Sequence, residues 1–254
     1  MENERLPRIL LIYRSMIPSI RLCGHVQMQA LCDKGKIEYR YSSVRNLARQ
    51  DLSWPDIVLL GRLDTRAESY VVRRLKQMGK YLVYVLDDDL LNVPDGVSSA
   101  DYYGTREVKE QIRWMISQSN AILSPSPLIL EKYALAPIRP ILVEEPAIDP
   151  ISFREHEPGE PVTIGFAGSV DRVPDIEGML EEVLRRIQNQ FGERVMFSFF
   201  GAIPSFAQDL NAQVIPYQDS YDEYRHMLND AHWDIGLAPM TDSAFHRFKH
   251  YNKF

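Results

Sequence analysis

Cysteine is scarce: Cys23 and Cys32 are the only two in 254 residues. At that spacing they form neither a CxxC redox or zinc pair nor a disulfide framework, so free thiols in a reducing compartment are the simplest reading. Long apolar runs are missing as well. Nowhere do about eighteen apolar residues run together, which excludes an ordinary membrane-spanning helix. The first residues, MENERLPRILLIY, mix charges around an apolar stretch too short for a secretory signal. The expectation is a cytoplasmic chain without a transmembrane segment, with peripheral membrane contact left open. Positive charge is also in deficit, 29 Lys and Arg against 35 Asp and Glu for a net charge of −6. A general affinity for nucleic acid needs the opposite balance, because cations must displace counterions from phosphates. No repeat of solenoid period and no low-complexity tract occurs.

What remains is an ordinary globular composition, 45% hydrophobic and 25% charged, long enough for one large or two modest domains. Short apolar runs alternate with stretches of helical spacing. Strands are expected at Arg8–Tyr13, Ile37–Tyr41, Asp56–Gly61, Tyr81–Leu86, Ala121–Leu123 and Pro140–Val143, and helices at Leu22–Asp33, Ala67–Met78 and Thr105–Ser119. This is the rhythm of a parallel sheet covered on both faces.

Between Glu144 and Pro161 the pattern lapses into EEPAIDPISFREHEPGEP, acidic and proline-rich. It then restarts with strands at Val162–Ala167, Val195–Phe200 and Trp233–Leu237 and helices at Ile176–Phe191 and Tyr221–Asn229. The expected organisation is a Rossmann-like domain over residues 1–145, a linker over 146–161 and a second Rossmann-like domain over 162–254. With about three strands where a doubly wound domain carries five or six, the second domain is expected to be incomplete, the chain reading as truncated at Phe254.

Chemistry concentrates where strands end. In GFAGSVDR, Gly165–Arg172, a strand closes on Gly168 and Ser169 and leads into a helix, whose free N–H groups and partial positive charge suit a phosphate. FFGAIP places Gly201 after the next strand, and DIGLAPMTDSAFHRFKHYNKF follows the third. Arg172, His246, Arg247, Lys249 and Lys253 bring cations to that edge; a solvated basic helix face is the plainer reading. In the first half, VYVLDDDLLNVP runs a strand into Asp87, Asp88 and Asp89. Three readings stay open for them: acceptor binding or a catalytic carboxylate, turn chemistry, and a metal site. Alternating side chains cannot send all three one way. Arg62 and Asp64 after the third strand, and Arg21 with Gly24 after the first, share that edge. His25 reads mainly as a structural histidine.

IGFAGS, FFGAIP and above all WDIGLAPMTDSAFHRFKHYNKF resemble the C-terminal half of the group 1 glycosyltransferases of GT-B fold, and PAIDPISF is similar to that family's hinge. The resemblance covers Val162–Phe254; for the first half it is one of architecture. It implies an α/β protein of two Rossmann-like domains and transfer of a sugar, with retention of configuration, from a UDP- or GDP-type nucleotide-sugar donor to a glycan, lipid-linked or protein acceptor. No cofactor or metal is implied, because the fold neutralises the diphosphate with helix dipoles and basic groups. Gly168 and Ser169 would approach the distal phosphate and sugar, Gly201 would flank the base, and Met240, Phe245, His246 and Lys249, with Arg172, would close over the diphosphate. Asp87, Asp88 and Asp89 would be catalytic, and Arg21, Arg62 and Asp64 would meet the acceptor. The sequence departs from the pattern at Ser169, where many members have Arg, and at Glu177, where they have Lys; the glutamate that grips the donor ribose would lie past Phe254. A non-catalytic nucleotide- or sugar-binding module is the competing expectation. A receiver-type phosphoacceptor pocket fits less well, since its acids come from separate strand ends.

Overall fold

The computed structural model describes residues 5–144 and 155–249. The chain divides into two compact units. Among the described residues, unit 1 takes in 5–95, 99–144 and 247–249, and unit 2 takes in 96–98 and 155–246. Both are Rossmann-like α/β units with wholly parallel sheets.

Unit 1 has six strands: β1 (Arg8–Tyr13), β2 (Glu38–Ser43), β3 (Ile57–Gly61), β4 (Tyr81–Val85), β5 (Ala121–Ser124) and β6 (Arg139–Leu142). They lie in the order β2-β1-β3-β4-β5-β6, a doubly wound order whose direction reverses between β1 and β3. Apolar side chains alternate between two cores, as the pleat requires. Leu10, Ile12, Val58, Leu60, Leu82 and Tyr84 meet Val72 and Leu75 of helix Arg66–Gln77 and Ile112 and Met115 of helix Arg106–Gln118. On the other face Ile9, Leu11, Leu59, Val83 and Val85 meet Ile20 and Cys23. Each fully buried aliphatic side chain contributes about 1.5–3 kcal/mol, so the sheet centre sets the fold. Thr65 and Glu68 close a capping box at the start of Arg66–Gln77, and Gly79 at φ 72° follows its end.

Unit 2 has β7 (Val162–Gly168), β8 (Val195–Gly201), β9 (Gln213–Ile215) and β10 (Ile235–Leu237), in the order β10-β7-β8-β9. Read from β9, this is the 3-2-1-4 start of the Rossmann order, with its reversal between β7 and β10. Ile164, Phe166, Phe197 and Phe199 pack against Ile176 and Leu184 of helix Val173–Phe191. Ala167, Phe200 and Ile215 face Tyr224 and Met227 of helix Tyr221–Asp230. The Trp233 ring lies where a Cβ on Gly165 would project, so this strand needs glycine there.

The expected elements are present, with differences at their edges. Arg21–His25 is a π-helical turn ahead of the α-helix Val26–Asp33. Helix Val173–Phe191 begins three residues early, because Pro174 suits a first helical turn and the 3-10 turn Val170–Arg172 leads into it. β9 and helix Pro127–Tyr133 were not expected, and four strands stand in unit 2 where about three were read. Of the expected linker, residues 146–154 lie outside the described residues, and 155–161 carry neither helix nor strand. Among the described residues no helix is long and apolar enough to cross a membrane.

Candidate functional site

Ligands of open α/β sheets bind at the carboxyl ends of strands, where the strand order reverses. In unit 2 that place is built by the loops after β7 and β10. Gly168 ends β7, and a Cβ there would stand 2.9 Å from the Phe166 ring and 3.2 Å from Arg172 Cγ. Ser169 is exposed, and the following turn swings Arg172 back over the edge. Arg172 Nη2 donates to the Pro239 carbonyl, while Nη1 lies 3.3 Å from Asp175 Oδ2 and 3.4 Å from His246 Nε2. Asp175, 8% exposed on the first turn of the helix, also takes a hydrogen bond from Thr241 Oγ1 at 3.1 Å. Thr241 Oγ1 is 2.7 Å from His246 Nδ1, and the His246 N–H donates to Ser243 Oγ at 3.1 Å. The loop after β10 is thus fastened to the start of the helix after β7 by a buried carboxylate, a guanidinium, an imidazole and a hydroxyl.

Of the other residues expected here, Phe245 is buried with its ring 5.8 Å from that of His246, and Met240 is exposed. Gly201 has φ 76°, and a Cβ on it would run into the Gly168 carbonyl oxygen. Packing alone therefore accounts for that glycine. Lys249 belongs to unit 1, where its Nζ lies 3.0 Å from Asp88 Oδ1.

In unit 1 the same edge carries two ionic clusters. Arg62 follows β3 with φ 50°, a left-handed conformation that costs a non-glycine residue of order 1–3 kcal/mol. It turns the guanidinium to the end of β4, with Nε 2.8 Å from Asp87 Oδ1 and Nη2 3.0 Å from Asp88 Oδ2. The contact with Asp87 is an ion pair without hydrogen-bond alignment. Burial pushes the Asp88 carboxyl up, but Lys249 and Arg62 outweigh it and hold its pKa below the usual carboxylate range. Asp89 turns the other way. Buried, it accepts from Lys132 Nζ at 2.7 Å, Asn92 Nδ2 at 3.0 Å and the Tyr133 hydroxyl, stapling the loop to helix Pro127–Tyr133.

In the second cluster Asp64 accepts from Tyr102 Oη at 2.6 Å and from Arg14 Nη2. Glu68 accepts from Arg14 Nε at 3.0 Å and from the N–H groups of Asp64 at 2.8 Å and Thr65 at 2.9 Å. Burial raises the Glu68 pKa, yet Arg14 and these N–H groups bring it below its ordinary value. Burial and Asp64 push the Tyr102 phenol to about 12. Burial above all raises the Tyr103 phenol pKa, with Arg62 and Arg14 opposing it and Asp64 and Asp87 adding to it. Arg21 sits on the π-helical turn beside His25, whose pKa is lowered by burial and then by Arg21. His25 Nδ1 lies 3.0 Å from Tyr39 Oη, a satisfied structural contact.

The sequence motifs did not single out Asp175, Thr241, Arg14, Glu68 or Tyr102. Asp175 reads as a helix-start acid, Thr241 as loop and Glu68 as half of a capping box; no local pattern announces that they converge on cations from distant segments. Among the described residues no group of three or more His, Cys, Asp or Glu could hold a metal ion.

The two sheets and their reversal points define an α/β protein with Rossmann-like units. No family model matches the chain. No curated protein matches it either. Solved structures with similar backbones include Staphylococcus aureus MnaA with UDP, at 12% identity and TM-score 0.48 over 87% of this chain and 71% of that one. An alpha-glucosyltransferase with UDP and a DNA 13-mer matches at 11% identity and TM-score 0.47, covering 91% of this chain and 72% of its own. Acinetobacter baumannii MurG matches at 6% identity and TM-score 0.43, over 95% and 81%. With TM-scores below 0.5 and identities this low, these likenesses assign neither a family nor an activity.

Proposed function

We propose that the chain is a nucleotide-sugar-dependent glycosyltransferase in which unit 2 holds the donor diphosphate and unit 1 holds the acceptor. The observation that carries this reading is the Arg172 guanidinium, with the His246 imidazole beside it, at the β7/β10 reversal of a Rossmann-ordered sheet. A diphosphate oxygen there would take hydrogen bonds from the guanidinium and from N–H groups of the turn after Gly168, charge-assisted contacts that are about twice as strong as neutral ones. The sugar would lie toward Ser169 and Met240. The resemblance noted in the sequence suggests retention: the bond from the anomeric carbon to the diphosphate oxygen breaks, the acceptor oxygen bonds to that carbon on the same face, and the acceptor's proton passes to the leaving diphosphate.

On the acceptor side, Arg62, Asp87, Asp88 and Asp64 offer donors and acceptors suited to a polyhydroxyl ligand. Lys249, read from sequence as a diphosphate ligand, is reassigned to this group through its contact with Asp88. Asp89 is given a structural role, because all its partners belong to its own loop and to helix Pro127–Tyr133.

Calorimetric titration of the full chain with UDP, GDP, ADP and pyrophosphate, with and without magnesium or manganese, tests the donor reading. Metal-independent binding of one nucleoside diphosphate, lost in Arg172→Ala, is the expected result; no binding by any of them refutes it. A non-catalytic binding module is favoured by one observation: Glu177, where the resembling family has Lys, accepts from Ser205 N at 2.8 Å and adds negative charge on that helix. Binding without turnover of the matching nucleotide sugar, either by hydrolysis or by transfer to simple glycosides, would decide for the module.

A further inference from the structure

Thr241 stands between two groups that each want its one hydrogen. Its Oγ1 is 3.1 Å from Asp175 Oδ1 and 2.7 Å from His246 Nδ1. A hydroxyl donates once and accepts with its lone pairs. The Asp175 carboxylate, beside the Arg172 guanidinium, has no hydrogen to give, so it takes the one from Thr241. The Thr241 oxygen must then accept from His246, which puts a hydrogen on Nδ1. In the neutral ring the lone pair is left on Nε2, facing Arg172 Nη1 at 3.4 Å. The other tautomer would set two donors, Nε2–H and the guanidinium N–H, against each other.

We infer that Thr241 and Asp175 are positioning residues that fix His246 as its Nδ1–H tautomer, so that Nε2 and the Arg172 guanidinium form one site for a diphosphate oxygen. This rests on the reading of unit 2 as a diphosphate site and says how that site is held. Arriving phosphate oxygen takes the Nη1 hydrogen that Nε2 accepted, and Nε2, freed, takes a proton from solvent and becomes a second donor. The Nδ1–H bond to Thr241 persists throughout, so the ring keeps its orientation in both protonation states. Arg172 faces the ring from the turn before the helix and Asp175 faces it from the helix, with Nε2 3.7 Å from Asp175 Oδ2. Asp175 offsets the added charge. Without Thr241 the ring would be free to flip, and without Asp175 the hydroxyl hydrogen would turn toward Nδ1 and reverse the tautomer.

The test is long-range proton–nitrogen NMR of His246 in the full chain, beside calorimetry with pyrophosphate and with UDP. The wild type should show a protonated Nδ1 and a bare Nε2. Thr241→Val keeps the shape but loses the hydroxyl; it should move the ring toward the Nε2–H tautomer and weaken pyrophosphate by about 3- to 10-fold, the worth of one hydrogen bond. Thr241→Ser should restore both. Asp175→Asn, which can donate where the carboxylate accepts, is the second variant and should produce the same tautomer change should the valine variant fail to fold. An Nε2–H tautomer in the wild type overturns the inference, as do valine and asparagine variants with native nitrogen shifts and native affinity. A wild type that binds neither pyrophosphate nor UDP brings down the diphosphate reading itself, and the inference with it.

Discussion

Replacing Gly201 by alanine separates a packing role from a ligand role. The residue lies at φ 76°, and its Cβ would overlap the backbone oxygen of Gly168, its partner across the β7/β8 ladder. The left-handed conformation costs an L residue roughly 1–2 kcal/mol. The obstructing atom belongs to a strand rather than to a flexible side chain, so the ladder end must open, at about 1–3 kcal/mol by analogy with overpacking. Alanine restricts the unfolded chain more than glycine does, which returns about 0.4–1 kcal/mol. The net destabilisation is about 1–4.6 kcal/mol, equivalent to roughly 5- to 2,400-fold faster exchange for amides that exchange by opening unit 2. Native-state hydrogen exchange at Phe166–Gly168 and Phe199–Gly201 reads this directly. Gly168→Ala is the control: its Cβ meets the Phe166 ring and the movable Arg172 stem, so it should cost about 1 kcal/mol and, on the proposed diphosphate reading, weaken pyrophosphate by displacing the guanidinium. Unchanged exchange in a folded Gly201→Ala protein would refute the argument.

Arg62→Ala leaves Asp87 and Asp88, 11% and 20% exposed, with Lys249 as their remaining identified cation; urea unfolding followed through Trp54 and Trp114 should show a loss of about 3–5 kcal/mol, and a loss under about 1 would mean the cluster is better hydrated than its burial implies. Glu68 and Asp88 have lowered folded-state pKa values, so their contribution is complete above the ordinary carboxylate range near pH 4 and disappears as pH falls through the lower folded values. The urea midpoint should accordingly fall below about pH 4, less steeply in Asp88→Asn; a midpoint flat from about pH 4 to pH 2 would contradict those directions. Burial raises the Cys23 thiol, with Asp87 adding to it, so maleimide at pH 8 should label the partly exposed Cys32 in the native protein and reach Cys23 only on unfolding. Mass spectrometry of the labelled peptides decides it.

The sheets were legible because central parallel strands are apolar on both faces. RILLIY, IVLLG and YLVYV announce themselves as runs, and Thr65, Thr105 and Gly79 mark helix ends close to where they fall. β9 escaped because three residues, two of them exposed, carry no pattern. The π-helical turn at Arg21–His25 escaped because one extra residue per turn leaves no trace in periodicity. At the candidate sites, strand-end position was enough to find Arg62, Asp87, Asp88 and Arg172. Their partners were hidden because they are defined by chain crossings: Arg14 meets Glu68 and Arg172 meets Pro239 and His246 through sheet order, which strand signals alone do not give. The three consecutive aspartates show the limit well, since two serve Arg62 and the third serves a different helix.

The β10-β7-β8-β9 order also sets a timetable. β7 finds β8 across a single helix, whereas its other neighbour, pairing Ile164 with Ile235, is synthesised about 70 residues later. Closing so long a loop is slow, and non-local parallel pairing lags local structure. Thr241 and His246 follow β10, so the hydroxyl reaches Asp175, and the imidazole and the Pro239 carbonyl reach Arg172, only when β10 docks. Until then, of these described contacts, only the Arg172–Asp175 ion pair is in place. On the proposed reading, a diphosphate that requires both loops would therefore select chains in which β10 has docked, and its dissociation would report the undocking of β10 before any loss of the β7/β8 core.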